Sequence, residues 1–105
     1  MIPAKIPTKT RSQVYRRDGY RCALCDSTRY IQIHHAVPKS RGGHPTDPMN
    51  LITLCSDCHA LAHGMDLRGV EISEADVEQS CVEYLADLYA PDWWPYAPGV
   101  NPGIR

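Results

Sequence analysis

The chain has no phenylalanine and no long apolar stretch, and both absences limit what it can be. No run approaches the roughly 18 apolar residues of a membrane span, and the first ten residues lack the apolar middle of a secretory signal. We therefore expect a soluble, cytoplasmic protein with no membrane partner. A chain of 105 residues without Phe buries only a thin core, so a structural metal would supply stability that the core lacks.

Four of the five cysteines form two CxxC pairs, Cys22 with Cys25 and Cys55 with Cys58. Thiolates two residues apart on a tight turn can each take one corner of a tetrahedron, so the pairs predict a structural Zn²⁺ site. In a reducing compartment such pairs favour metal over disulfides. The fifth cysteine, Cys81, has no partner in such a motif and is interpreted as a small apolar residue on a helix face.

The net charge of −1 hides a separation of charge along the chain. Residues 1–41 carry nine Lys and Arg against two acidic residues, whereas residues 42–105 carry two against ten. A basic half joined to an acidic half indicates a phosphate-binding face and a face turned away from it. For any single arginine, a solvated surface position is an equally good interpretation.

The order of turn and apolar residues predicts one small α+β domain over residues 1–105, with its core at about residues 14–64. Helices are expected on both sides of that core. On the N-terminal side, Thr10 or Ser12 should cap a short helix that runs to Arg17 and ends in an Asp-Gly turn.

Two short strands are predicted within the core. Apolar and polar residues alternate over residues 30–34, which predicts a strand with Ile31 and Ile33 on its buried side. Proline and glycine make residues 38–48 a loop. A second strand is predicted over residues 51–54, and it leads directly to the second CxxC pair.

Two helices should follow the second strand. The first covers residues 58–63 and is closed by Gly64, which tolerates a left-handed conformation. The second, at about residues 74–89, starts with a capping pattern at Ser73, and residues 91–105 form an irregular tail. Four residues are expected along one side of this second helix: Val77, Cys81, Leu85 and Leu88.

Three histidines have the spacing of metal ligands. His59 and His63 are four residues apart on a predicted helix, so their Cβ atoms should be about 6 Å apart on one face. His34 ends the first predicted strand and could complete a facial set of three. Three protein ligands with open positions are typical of a catalytic metal. For any one histidine alone, an exposed or hydrogen-bonded side chain would be the simpler interpretation.

In order along the chain, the series Cys-x-x-Cys, His-His, Asn and Cys-x-x-Cys-His resembles the HNH endonucleases. The resemblance covers roughly residues 14–64. It implies a zinc-stapled, treble-clef-like ββα-metal core, in which a two-stranded hairpin packs on a helix with the phosphate-cleaving metal between them. It also implies a hydrolase that cleaves DNA.

Carried over residue by residue, the resemblance assigns His34 and His59 as ligands of one catalytic divalent metal, with His63 as a further ligand that only some members possess. It makes His35 the general base and Asn50 the central asparagine. Many members carry Asp where this chain has His34. All-imidazole ligation favours Mn²⁺, Ni²⁺ or Zn²⁺, whereas carboxylate favours Mg²⁺, so the metal stays open among these four.

Two points of geometry qualify these roles. Strict alternation would place His34 and His35 on opposite faces of a strand, so the strand must bend or end there if both are to reach one phosphate. Asn50 should tie the loop across the hairpin through hydrogen bonds to the backbone, which would keep His35 in place. The alternative for Asn50 is a simple turn residue after Pro48.

A basic loop beside the predicted base indicates contact with DNA, which we expect to be double-stranded. Lys39 and Arg41 are positioned to touch phosphates. Nothing resembles a base-reading helix, so we expect little sequence preference and allow for a protein partner that supplies specificity. His44 is interpreted as a loop residue. Four arginines could extend the footprint: Arg11, Arg16, Arg17 and Arg21.

Two functions of different classes fit these observations. The first is a metal-dependent DNA endonuclease that uses a single metal and a histidine base. The second is a catalytically inactive, zinc-dependent nucleic-acid-binding or adaptor module. His35 discriminates between them, because an adaptor needs the four cysteines but has no use for a histidine at the base position beside a complete ligand set.

Overall fold

The structure, a computed structural model, describes residues 5–65 and 72–99. Within these ranges it has the predicted α+β class, with a two-stranded antiparallel sheet and three helices. The predicted tail beyond residue 99 lies outside the described residues, and no helix in the described part is long and apolar enough to cross a membrane. The elements in chain order are α1 (Thr8–Arg17), β1 (Gln32–His35), β2 (Leu51–Leu54), α2 (Ser56–Ala62) and α3 (Glu74–Tyr89).

The sheet is a hairpin of β1 and β2 in which His34 pairs with Ile52. All four residues of β2 are buried, as its continuous apolar run predicts, and this strand matches the expected bounds. The expected start of β1 at residue 30 is wrong, because Tyr30 has a left-handed φ of 49° and the extended strand begins only at Gln32. Ile33 is half-buried and packs against the core residues Val14 and Leu51, in line with its expected side, whereas Ile31 is half-buried and precedes the strand.

Helix α1 begins before both of its predicted caps. Thr10 and Ser12 lie inside the helix, and the prediction that either one caps it is wrong. The N-cap position is Pro7, which offers no side-chain hydrogen bond but whose carbonyl accepts the first helical bond from Arg11 N–H at 3.0 Å. A proline at this boundary costs nothing, because the N–H that it lacks would have no helical partner.

Helix α2 begins two residues earlier than expected, at Ser56. The reason is that the Cys55 side chain serves as the N-cap, since its Sγ accepts the N–H of Cys58 at 3.5 Å. The expected end is confirmed, because the helix stops at Ala62 and Gly64 takes a left-handed φ of 77°.

Helix α3 confirms the predicted capping pattern. Ser73 Oγ accepts the N–H of Asp76, and the Asp76 carboxylate accepts the N–H of Ser73. Leu88 is 47% exposed, so its expected place on the buried side is wrong. The other three expected residues are buried against the sheet and α2: Val77, Cys81 and Leu85.

The segment after α3 returns across the molecule and fastens the predicted loop. Trp93 packs against the main core, and its Nε1 donates to the Met49 carbonyl at 2.9 Å. Tyr96 forms an isolated antiparallel bridge with Gly43. The loop over residues 38–48 is therefore held in place even though its regular structure is limited to a 3₁₀ turn at Lys39–Arg41 and the start of another at Pro48–Asn50.

A buried carboxylate, Asp18, joins three parts of the fold. It accepts two hydrogen bonds from Arg17, at 2.8 and 2.9 Å, a third from Tyr84 Oη at 2.7 Å and a fourth from Thr53 N–H at 2.9 Å. Burial alone would raise the pKa of Asp18. The bonds from Arg17 and Tyr84 outweigh that effect, so the pKa lies below its usual value.

Arg17 uses its remaining donors inside the protein as well. It donates to the carbonyl oxygens of Pro48 at 2.9 Å and Leu51 at 2.7 Å, and to Tyr89 Oη at 3.0 Å. Its side chain is only 15% exposed. Arg17 therefore fastens α1 to β2 and α3, a role that differs from the expected phosphate contact.

Candidate active site

The four paired cysteines meet where the first CxxC turn faces the start of α2. Their sulfur atoms all lie within 4.8 Å of one another, and Cys25 Sγ is 3.5 Å from Cys55 Sγ. A tetrahedral zinc site with Zn–S bonds of about 2.3 Å would place its sulfurs about 3.8 Å apart. The donor set and its spacing therefore fit a structural zinc ion.

The clustered thiols affect one another's ionisation. Burial raises the pKa of the Cys58 thiol, and the neighbouring Cys22, Cys25 and Cys55 raise it further. In contrast, hydrogen bonds from backbone N–H groups lower the pKa of Cys22 despite its burial. Several adjacent thiolates repel one another unless a divalent cation binds them, which is the usual behaviour of a zinc ligand set.

Three histidines come together on the other side of the same helix. His34 lies on β1, His59 lies on α2 and His63 is the C-cap of α2, and one ring nitrogen of each is within 4.8 Å of the others. His59 Nε2 and His63 Nε2 are 3.0 Å apart. Two nitrogens each about 2.1 Å from one ion, at a right angle, would have this separation of about 3 Å. The cluster therefore fits a single divalent cation.

Burial favours the neutral form of two of these histidines, His34 and His59. Burial, followed by the neighbouring charges of His59, His63 and His35, lowers the pKa of His34 to about 4. Burial, followed by the charge of His63, also lowers the pKa of His59. Neutral imidazole is the form that binds metals, so at neutral pH these rings can act as ligands without first losing a proton.

His35 is held by one hydrogen bond that defines its chemistry. Its Nε2 lies 2.9 Å from the Pro45 carbonyl oxygen. A carbonyl can only accept, so Nε2 carries the proton and Nδ1 presents a lone pair. Strand β1 ends at His35, and both His34 and His35 line the same cleft, so the alternation of the strand does not separate them.

Asn50 is fully buried and ties the loop to the hairpin. Its amide oxygen accepts the Val37 N–H at 2.8 Å, and its amide nitrogen donates to the carbonyls of Val37 and His44, each at 3.0 Å. The expected hydrogen bonds to the backbone are therefore present, and the simple turn residue is excluded. Gly43 allows this contact, because a Cβ there would lie 1.9 Å from the Val37 oxygen.

The histidines open onto a cleft of about 710 Å³. One wall consists of His34, His35, His59 and His63, and the opposite wall is the first half of α3. Such a cleft brings three candidate ligands and a candidate base to one place. Half of the remaining lining residues are apolar, and the other half are charged or polar: Lys39, Arg41, Glu74, Glu78 and Gln79.

The basic residues expected at DNA divide into separate groups. Lys39 and Arg41 line the cleft, and Arg41 pairs with Glu78. Arg16 is exposed and lines a second depression on α1 with Lys9. Arg21 is exposed and lies 3.7 Å from Asp26. Among the described residues, Lys39 and Arg41 therefore line the same cleft as the histidines, whereas Arg16 and Arg21 do not.

Sequence reasoning missed the residues that support this site. His44 Nδ1 accepts the N–H groups of Thr46 at 3.1 Å and Asp47 at 3.0 Å, which fixes the loop around Pro45. A loop histidine before a proline gave no signal of this. The sequence placed Glu78 on a predicted helix, but no pattern in it indicated that this side chain would line the cleft.

Comparison with known proteins agrees with this geometry. The family model of the HNH endonuclease matches residues 22–64, which include both CxxC pairs and the three clustered histidines. Anaredoxin of Nostoc sp. (strain PCC 7120) is 34% identical over 61 residues, which cover 57% of this chain and 79% of that protein. The chain belongs to the HNH endonuclease family. An HNH domain indicates a nuclease or a nucleic-acid-binding protein, and the four clustered cysteines of this one could hold zinc.

Proposed function

We propose that this HNH protein is a metal-dependent endonuclease that hydrolyses phosphodiester bonds in double-stranded DNA with little sequence preference. The observation that carries the proposal is the position of His35. Because His35 Nε2 is bonded to the Pro45 carbonyl, Nδ1 is the nitrogen that can accept a proton. His35 also lines the same cleft as His34, His59 and His63. A potential base beside a potential metal site is what phosphodiester hydrolysis requires.

His34, His59 and His63 would hold the single catalytic metal, separately from the zinc of the four cysteines. When bound, such an ion supplies Lewis-acid stabilisation of charge on the phosphate and on the departing 3′ oxygen. Because all three ligands are imidazoles, we expect Mn²⁺, Ni²⁺ or Zn²⁺ to support activity better than Mg²⁺.

His35 would act as the general base. Its Nδ1 would take a proton from the attacking water, and the Pro45 carbonyl would stabilise the resulting imidazolium through the Nε2–H bond. Asn50 touches neither substrate nor water in this scheme. It would act by holding the loop that carries Pro45, which makes it a positioning residue.

Lys39 and Arg41 would contact phosphates at the mouth of the cleft. Such contacts carry no sequence information, and a protein partner could supply any specificity.

We also propose that residues 1–105 act as one nuclease domain. Support comes from α3, which buries Val77, Cys81 and Leu85 in the same core as the hairpin and α2.

A plasmid-nicking assay tests the proposal. Supercoiled plasmid would be incubated with zinc-loaded protein and with Mg²⁺, Mn²⁺, Ni²⁺ or Zn²⁺ in turn, and His35→Ala protein purified in parallel would control for contaminating nucleases. We expect nicked or linear plasmid with at least one transition metal and only with the wild type. DNA binding without cleavage in all four metals would instead establish the adaptor function.

A further inference from the structure

An ion pair crosses the mouth of the catalytic cleft. Arg41, in the turn after β1, donates from Nη2 to Glu78 Oε1 on α3. The two residues are 37 positions apart, and both line the cleft. Of the three ion pairs among the described residues, the other two join residues no more than five apart, so this one is the pair that bridges separate elements.

The groups around Arg41 include two glutamates that stabilise its positive charge. The hydrogen bond that Arg41 donates to Glu78 raises the pKa of Arg41, and the charges of Glu78, Tyr96 and Glu74 raise it further. Glu74 and Glu78 are four residues apart on α3 and therefore share one face of the helix. Helix α3 thus presents negative charge to the arginine that is best placed to bind a substrate phosphate.

We propose that Glu78 competes with the substrate phosphate for Arg41 and so weakens the binding of nucleic acid in the cleft. The inference rests on the proposed function, since it takes the cleft to be the nucleic-acid site. A guanidinium binds carboxylate and phosphate through the same donors, so Glu78 and a phosphodiester cannot both occupy them fully. A phosphate that binds Arg41 through Nη2 must therefore displace the internal carboxylate, and this competition weakens its binding.

The exposure of the pair makes the exchange feasible. Arg41 is 58% exposed and Glu78 33% exposed, so water and salt screen their attraction. This differs from the Arg17 and Asp18 pair, whose side chains are 15% and 0% exposed and which makes further internal bonds. A phosphate could displace Glu78 without unfolding any element, whereas Arg17 has no such freedom.

The test is a double-mutant cycle on DNA affinity. Binding of a short duplex of mixed sequence would be measured, without added divalent cation and with zinc content checked, for wild type, Glu78→Gln, Arg41→Gln and the double variant. Glu83→Gln is the matched control, because it removes the same charge from an exposed position on α3 that does not line the cleft.

We expect Glu78→Gln to bind about two- to five-fold more tightly than Glu83→Gln, the range that an exposed ion pair supports. In the Arg41→Gln background the gain should disappear. Equal affinities for Glu78→Gln and Glu83→Gln, or an equal gain without Arg41, would overturn the inference and leave the pair a fastener of α3. Cleavage by the wild type, measured in parallel, fails or succeeds independently of this binding cycle and so reports on the proposed function alone.

Discussion

Asn50 and Val37 exchange two hydrogen bonds across the end of the hairpin. Val37 N–H donates to the amide oxygen of Asn50 at 2.8 Å, and the Asn50 amide nitrogen donates to the Val37 carbonyl at 3.0 Å. The second amide proton goes to the carbonyl of His44, next to the Pro45 that holds His35. One buried side chain therefore links the backbone after β1 to the support of the proposed base.

Asn50→Ala should destabilise the protein by about 2–5 kcal/mol, because it leaves several buried backbone groups without partners. Asn50→Asp keeps an acceptor for Val37 N–H but loses both donors, so it should not restore stability. Denaturant unfolding at constant zinc would measure both. Gln13→Ala, which removes an exposed amide on α1, is the control and should change stability by no more than about 0.5 kcal/mol. An unfolding midpoint unaffected by Asn50→Ala would contradict the positioning role.

Replacing His35 and replacing His59 should affect metal binding and cleavage differently. His35→Ala should keep the fold and the catalytic metal but lower the cleavage rate by about 10²-fold or more, because it removes proton transfer alone. His59→Ala should lose that metal and activity while keeping the zinc of the four cysteines.

Metal content per chain and nicking rate, determined on both variants, separate the two roles. Cleavage by His35→Ala at the wild-type rate would eliminate this histidine as the base. Retention of a second metal by His59→Ala would eliminate the proposed ligand set.

Cys58→Ser should lose zinc and most of the folded structure, since structural zinc sites contribute about 10 kcal/mol or more. Cys81→Ala is the matched control. It removes a buried thiol from α3 outside the cluster, so it should keep one zinc per chain and lose only a modest amount of stability. Zinc analysis and circular dichroism would follow both. A Cys58→Ser protein with an unchanged melting temperature would exclude a structural role for the cluster.

The sequence predicted the elements whose signals are local. Both CxxC pairs, the buried run of β2 and the Ser73 capping box each depend on neighbours within a few residues, and each was found where expected. The spacing of His59 and His63 likewise follows from helix geometry alone. His34 joined them because the hairpin predicted from the alternating residues is present.

The rest depends on contacts that no local pattern contains. In the sequence, nothing distinguishes Arg17 from the other basic residues. Its side chain points into the protein because its acceptors are the carbonyls of Pro48, 31 residues away, and Leu51, 34 residues away. The facing of Glu78 toward Arg41 depends on how α3 docks on the core. The bounds of β1 were missed because Tyr30 adopts a left-handed conformation that is rare for a non-glycine residue.

Asp18→Asn should destabilise the protein at neutral pH by about 3 kcal/mol, because it leaves the largely buried Arg17 guanidinium without its counter-charge. The pKa of Asp18 is lowered in the fold, so its contribution is complete above the unfolded value of about 3.9 and is lost as the pH falls through the folded value. The difference in stability between wild type and variant should therefore shrink in acid. Unfolding curves over that pH range test this, and a difference independent of pH would contradict it.

Two neighbouring arginines on α1, Arg17 and Arg16, should differ in how much their replacement by alanine lowers stability. Arg17→Ala should lower stability by about 2–4 kcal/mol, because its internal hydrogen bonds are lost and Asp18 is left buried and unpaired. Arg16→Ala, at an exposed position, should leave stability within about 0.5 kcal/mol of the wild type.

Lys39→Ala should also fold normally, yet reduce the salt dependence of DNA binding by up to about one phosphate contact.

Thermal unfolding and DNA titrations at several salt concentrations would decide between these roles. If Arg17→Ala were as stable as Arg16→Ala, the internal network would not carry the energy that its hydrogen bonds indicate. If the salt slope of Lys39→Ala matched the wild type, Lys39 would not touch phosphate and DNA would not enter the cleft from this side. Because Lys39 lines the cleft and Arg16 does not, a change in slope with Lys39→Ala but not with Arg16→Ala would place the DNA backbone at the mouth beside His35.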